Sequence, residues 1–258
     1  MEFTTLIVER SPRMVTVTLH RPEARNSLNQ KLLEELNLVL DQAERDPECV
    51  LITLQGQEGV FCTGMDFTDV LEADFTSDRA RARLWAAAYM KTLRRLTLIA
   101  KVVVAKVDGL VLAGGVGIVA ACDQVIATER AQFCLSEALF GLLPANVLPH
   151  LIRKVGFAVA YGMALTTRSL AAAEAREVRL VDELTNQPDD AVRKLMVRVC
   201  RLDSRTLAEL KAYFRKLWIV TEEMEQLAVD ELARLITESR IQRNIANFVQ
   251  HQKFPWEK

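Results

Sequence analysis

Two glycine-bearing segments and one carboxylate carry the chemistry this sequence can offer. Val60-Phe61-Cys62-Thr63-Gly64-Met65-Asp66-Phe67 reads as a glycine turn entering a short helix. Asp108-Gly109-Leu110-Val111-Leu112-Ala113-Gly114-Gly115-Val116-Gly117 reads as a glycine-rich entry to an apolar helix. Each presents free backbone N–H groups at the positive end of a helix. Two such donors aimed at one point stabilise an enolate or oxyanion, and losing a single donor costs on the order of 10²–10³ in rate. Taken singly, each segment is an ordinary helix start whose glycines serve close packing. Glu137 follows, among apolar Leu135, Ala138, Leu139, Phe140 and Leu142. Desolvation there raises a carboxyl pKa and makes a better base for an α-proton. A glutamate that only caps a turn through backbone hydrogen bonds fits the same residues, and the local sequence leaves both readings open.

The elements that must position these groups alternate between strand and helix. Phe3–Val8 and Met14–Leu19 read as a hairpin around Ser11-Pro12-Arg13. Asn29 opens a helix whose apolar face is Leu32, Leu33, Leu36, Val39 and Leu40. Cys49–Leu54 is a buried strand, Asp66 a cap for a short helix, and Asp78–Leu96 a longer helix. Val102–Val107, Val125–Ala127 and Phe133–Leu135 are strands, with a helix over Gly114–Ala121 between them. Beyond Val147 the pattern is helical, and Leu180–Val181 is the strand expected there. This order predicts an α/β core over residues 1–195 and a helical C-terminal region over 196–258.

Other chemistries find no support. The GxSxG, HExxH and GxxxxGK[ST] patterns are absent, and His20, His150 and His251 are far apart, so no metal site is expected. Gly115-Val116-Gly117-Ile118-Val119-Ala120 matches half of a dinucleotide fingerprint, but the preceding strand does not run directly into it, and close packing explains its glycines. A net charge of −1 gives no global reason to expect nucleic acid or an anionic membrane as partner. The five scattered cysteines lack CxxC spacing and read as reduced thiols of a cytoplasmic protein. The N-terminus lacks the pattern of a secretory signal, and no apolar run reaches the roughly 20 residues of a membrane span.

The order and spacing of several motifs together are specific. They are Arg21-Pro22 with Asn26-Ser27-Leu28-Asn29, Phe61–Asp66, Ala113–Gly117, Cys122-Asp123, and Ala131-Gln132-Phe133 followed by Ser136-Glu137. Over nearly its whole length the chain resembles the crotonase (enoyl-CoA hydratase/isomerase) superfamily. The resemblance implies a crotonase fold, an α/β spiral of ββα units with a helical C-terminal trimerisation region, assembled as trimers or hexamers. It also implies oxyanion donors at the N–H groups of Met65 and Gly114 and a catalytic carboxyl at Glu137. Hydratases of the superfamily carry two glutamates, and Gly117 stands where the first would lie.

The stretch Gly141–Pro149, the Cys62–Phe67 segment and Phe254-Pro255-Trp256-Glu257 resemble the polyketide β-branching dehydratases. That branch implies removal of water from a 3-hydroxy-3-methylglutaryl group on an acyl carrier protein, giving a 3-methylglutaconyl thioester, without metal or other cofactor. Asn146 and His150 are candidates for contacting the leaving hydroxyl or the substrate carboxylate. Arg25, Leu28 and Thr63 are candidates for the pantetheine arm, and a cation of the Asp78–Leu96 helix for the distal carboxylate. A Δ3,Δ2-enoyl-CoA isomerase, a decarboxylase on the same fold and a non-catalytic binding protein are the rival readings.

Overall fold

The computed structural model describes residues 3–73 and 78–257. The chain winds as a spiral in which successive turns give one strand to each of two sheets. The larger sheet runs β1 (Leu6–Ser11), β2 (Met14–Leu19), β3 (Leu51–Gln55), β5 (Val102–Val107), β7 (Gln124–Ala127) and β10 (Glu183–Leu184). Only its first pair is antiparallel. The smaller sheet runs β4 (Val60–Cys62), β6 (Leu110–Leu112), β8 (Gln132–Cys134) and β9 (Leu170–Ala171), with β4, β6 and β8 parallel. The pairs β3/β4, β5/β6 and β7/β8 are the repeated turns.

Strand β5 shows how the layers are divided. Val103 and Ala105 face the main core, while Val102 and Val104 join a second cluster on the opposite face with Leu51, Ile126, Ala191, Val192 and Leu207. Alternation of this kind marks a strand buried on both sides, so its sequence is a near-continuous apolar run. Helix α1 (Gln30–Arg45) covers the main core, with Leu32, Leu33, Leu36, Val39, Leu40 and Ala43 fully buried. Burying each of its large side chains is worth roughly 1.5–3 kcal/mol. Asn29 caps this helix by accepting the Leu32 N–H at 2.9 Å. Helices α2 (Phe67–Glu72), α3 (Arg79–Leu98) and α4 (Gly114–Ala121) follow in the spiral. Then come α5 (Leu148–Val155), α6 (Phe157–Thr166), α7 (Ala172–Glu177), α8 (Pro188–Val199), α9 (Ser204–Lys216), α10 (Glu222–Ile236) and α11 (Ser239–His251). The last helices return to the spiral: Val229, Leu232, Ala233, Ile241 and Ile245 belong to the same main core as α1.

Two expectations about strands are corrected. Leu180 and Val181 are not a strand; both donate their N–H groups to the Ala175 carbonyl, wrapping the end of α7, and pairing begins only at Glu183. Leu170–Ala171 forms a strand that the helical pattern concealed. His20 lies just beyond β2, with its N–H on the Thr5 carbonyl and Nδ1 2.7 Å from Gln57 Nε2.

Candidate active site

Met65, Gly114 and Glu137 come together because β4, β6 and β8 are parallel neighbours. Each residue lies just past the C-terminal end of its strand. Neighbouring strands lie about 4.8 Å apart, so the two glycine segments adjoin and Glu137 sits one strand beyond. A cavity of about 830 Å³ opens at this edge, and all three residues line it.

Local geometry leaves two N–H groups free. The Leu28 N–H donates to the Gly64 carbonyl at 2.6 Å, and the Asp66 N–H to the Leu28 carbonyl at 2.9 Å. Successive peptides in an extended segment point opposite ways, so the Met65 N–H faces away from Leu28. It finds no acceptor among the described residues. Gly114 is the first residue of α4, so its N–H has no carbonyl within the helix and likewise takes none elsewhere among those residues. Gly64 holds the two segments together. With φ of +87° it occupies the left-handed region, and a Cβ there would lie 2.7 Å from Ala113 Cβ and 3.1 Å from Gly114 N. The donors are therefore side by side, at the positive end of a helix.

Glu137 opens a 3-10 turn over Glu137–Phe140. Its residue is half-buried, but Oε2 is wholly buried and has no hydrogen-bond partner. Burial pushes the carboxyl from its ordinary 4.5 up to about 7, opposed only by its own backbone N–H. A turn cap would have its carboxylate satisfied and its pKa lowered, whereas here Oε2 is unpartnered and the pKa is raised. Cys62, in the donor segment, does not compete as a nucleophile. Burial pushes its thiol up to about 12, and its sulfur accepts the Gly64 N–H at 3.5 Å.

Arg25, Leu28 and Thr63 all line the cavity. Arg25 is exposed, in left-handed backbone, and its carbonyl accepts the Thr63 hydroxyl at 3.1 Å; its guanidinium takes no partner among the described residues. Arg21 is the other cavity-lining cation among them, held by Asp66 at 2.9 Å and by the Ser27 carbonyl at 2.6 Å. Asn146 lines the wall with Nδ2 on the Ala86 carbonyl at 2.7 Å and a buried, unpartnered Oδ1.

His150 does not reach the cavity. It is buried 3.4 Å from Thr97 Oγ1, with its ring edge-on to Trp218, and burial together with Arg153 and Arg215 pushes its pKa down to about 3. The cations expected from the α3 helix are also elsewhere: Arg81 holds the Ala73 carbonyl, Arg83 pairs with Asp230, and Lys91 is exposed. That helix instead gives Trp85 and Tyr89 to the cavity wall. Phe254 belongs to the C-terminal Phe254–Glu257 motif. It lines the cavity and joins Phe140, Phe248 and Trp256 in a ladder of rings with centroids 4.7–5.7 Å apart.

The chain is a crotonase spiral with two free backbone donors and a carboxyl of raised pKa at the C-terminal edge of its smaller sheet. The enoyl-CoA hydratase/isomerase family profile matches residues 9–258, and the chain belongs to that family. Bacillaene synthase dehydratase of Bacillus subtilis is 34% identical over 255 residues, 99% of this chain and 97% of that protein. The 2,3-dehydroadipyl-CoA hydratase of Escherichia coli is 35% identical over 182 residues, 69% of this chain and 68% of that one. Among solved structures, a polyketide biosynthesis enoyl-CoA hydratase from Bacillus subtilis superposes with a TM-score of 0.88 at 33% identity, covering 98% of this chain and all of that one.

Proposed function

We propose that this enzyme removes water from a 3-hydroxy-3-methylglutaryl thioester on an acyl carrier protein to give the 3-methylglutaconyl thioester. The observation that carries the reading is the Glu137 carboxyl, raised to about 7 with Oε2 unpartnered, on a residue that lines the same cavity as Met65 and Gly114. The thioester oxygen accepts from Met65 and Gly114. The C2–H bond breaks, its proton passes to Glu137, and the negative charge collects on the held oxygen. The enolate electrons then form C2=C3 as the C3–O bond breaks. The proton on Glu137 leaves with the hydroxide as water, so one carboxyl serves a syn elimination. Asn146 Oδ1 is the acceptor available to orient the 3-hydroxyl proton. Nothing in this sequence of steps calls for a metal or other cofactor.

Full-length similarity to a polyketide synthase dehydratase supports the carrier-bound substrate. Arg25 is placed to meet the phosphate of the pantetheine arm, with Leu28 and Thr63 along it. The exposed apolar side chains of Phe157, Tyr161 and Leu165 on α6, and of Tyr213, Phe214 and Leu217 at α9, support burial in a homotrimer or hexamer. A cytoplasmic location fits the five free cysteines.

The second reading is a Δ3,Δ2-enoyl thioester isomerase. It is favoured by the lack, among the described residues, of any cavity-lining cation besides Arg21 and Arg25 to meet a distal carboxylate. Incubation with the 3-hydroxy-3-methylglutaryl carrier protein, read by intact mass, separates them. Loss of water supports dehydration; an unchanged mass, with double-bond migration in an enoyl thioester, supports isomerisation.

A further inference from the structure

Helix α4 begins in soft backbone. Three of its first four residues are glycine, and Ala113 before them has φ of +47° and ψ of −122°. Glycine leaves the chain the most conformational freedom to lose, and within this turn the Ala113–Gly114 peptide is held by the Val116 N–H, 2.9 Å from the Ala113 carbonyl. A second tie, from outside the helix, holds the next peptide. The Tyr89 hydroxyl, from the middle of α3, donates to the Gly114 carbonyl at 2.5 Å. The same hydroxyl explains why residue 117, one turn on from Gly114 on the same face, lacks a side chain. A Cβ at 117 would lie only 2.3 Å from it, while a Cβ at 114 would meet Leu28 Cδ1 at 3.0 Å and the hydroxyl at 3.3 Å. The phenol therefore fills the space that any side chain at 117 would enter. Tyr89 is fully buried, and desolvation first, then Cys62 and Glu137, raise its pKa well above 10, so it stays a neutral donor.

We propose that Tyr89 is a positioning residue. Admitted by Gly117, its hydroxyl pins the first turn of α4 so that the Gly114 N–H stays aimed at the thioester oxygen. The inference rests on the oxyanion-hole reading above and deepens it. Preorganised donors cost no reorganisation at the moment of reaction, so loosening one acts on the transition state more than on ground-state binding. The Tyr89→Phe variant keeps the ring and removes the tie, and Gly117→Ala displaces the hydroxyl without removing it. Each is expected to lower kcat by about 10- to 100-fold, somewhat less than outright loss of a donor, with KM within about twofold.

The deciding readout is the infrared carbonyl band of a ¹³C-labelled 3-methylbutanoyl-pantetheine thioester, which lacks the leaving group. Bound to the wild type, the band should move to lower frequency than in water; in Tyr89→Phe and Gly117→Ala it should move back. A wild-type band that does not move would defeat the oxyanion-hole reading itself. A band shifted in the wild type and equally shifted in Tyr89→Phe, with kcat unchanged, would overturn the role of Tyr89 alone.

Discussion

If Glu137 is the base, the reaction must turn on with its ionisation. Burial moves the carboxyl from 4.5 to about 7, a difference of roughly 3 kcal/mol between its two protonation states. Its carboxylate is the active form, so kcat/KM should rise with pH to a plateau above about 7. It should lie about tenfold below the plateau at pH 6 and about 100-fold below it at pH 5. Glu137→Gln should remove at least 99% of turnover. The same carboxyl carries a stability consequence of opposite sense. Its folded pKa exceeds its unfolded value, so folded protein is destabilised progressively as pH rises from about 4.5 to 7. Glu137→Gln should therefore match the wild type in denaturant stability below pH 4.5 and exceed it above pH 7, by up to roughly 3 kcal/mol. Initial rates across pH 5–9 with a short pantetheine substrate, and urea melts at the two extremes, give both readouts. An acid limb near pH 4.5, or a variant retaining more than a tenth of wild-type turnover, would refute the argument.

Gly64→Ala should lower turnover by about 100-fold, because a Cβ there strains a left-handed residue and presses on Ala113 between the two donors; steady-state rates with folding checked by circular dichroism test it. At Glu35 burial would push the carboxyl up, but hydrogen bonds from Thr4 and Thr5 prevail and hold it at about 2. Glu35→Gln should thus cost about 2–3 kcal/mol at pH 7 in denaturant melts, a gap that closes as pH falls from about 4.5 toward 2. Arg25→Ala should raise the KM for a carrier-bound substrate several-fold while a short pantetheine thioester is nearly unaffected, and added salt should weaken only the carrier reaction. Equal, salt-independent kcat/KM on carrier and CoA substrates would instead favour the isomerase.

The sequence was most legible where one residue type has one use. The Gly114–Ala121 helix, the caps at Asn29 and Asp66, and the runs forming β5 and β7 follow from local composition, and the structure places them there. It was least legible where contacts are long-range. The α3 helix has buried residues on most of its turns, so its periodicity could not say that Tyr89 and Trp85, rather than an arginine, face the cavity. Two-residue strands such as β9 and β10 are too short to show alternation. His150 lies close to Asn146 in sequence, but its ring is taken up by Thr97 and Trp218, which no local pattern foretells.

The central claim is that Glu137 and the two backbone donors together create a thioester enolate. Exchange of the α-protons of 3-methylbutanoyl-pantetheine in deuterium oxide, followed by proton NMR, tests it without requiring any leaving group or carrier protein. The wild type should wash deuterium into C2 far faster than buffer, and Glu137→Gln should not exceed the buffer rate. Exchange by Glu137→Gln as fast as by the wild type, or none by either, would contradict the account.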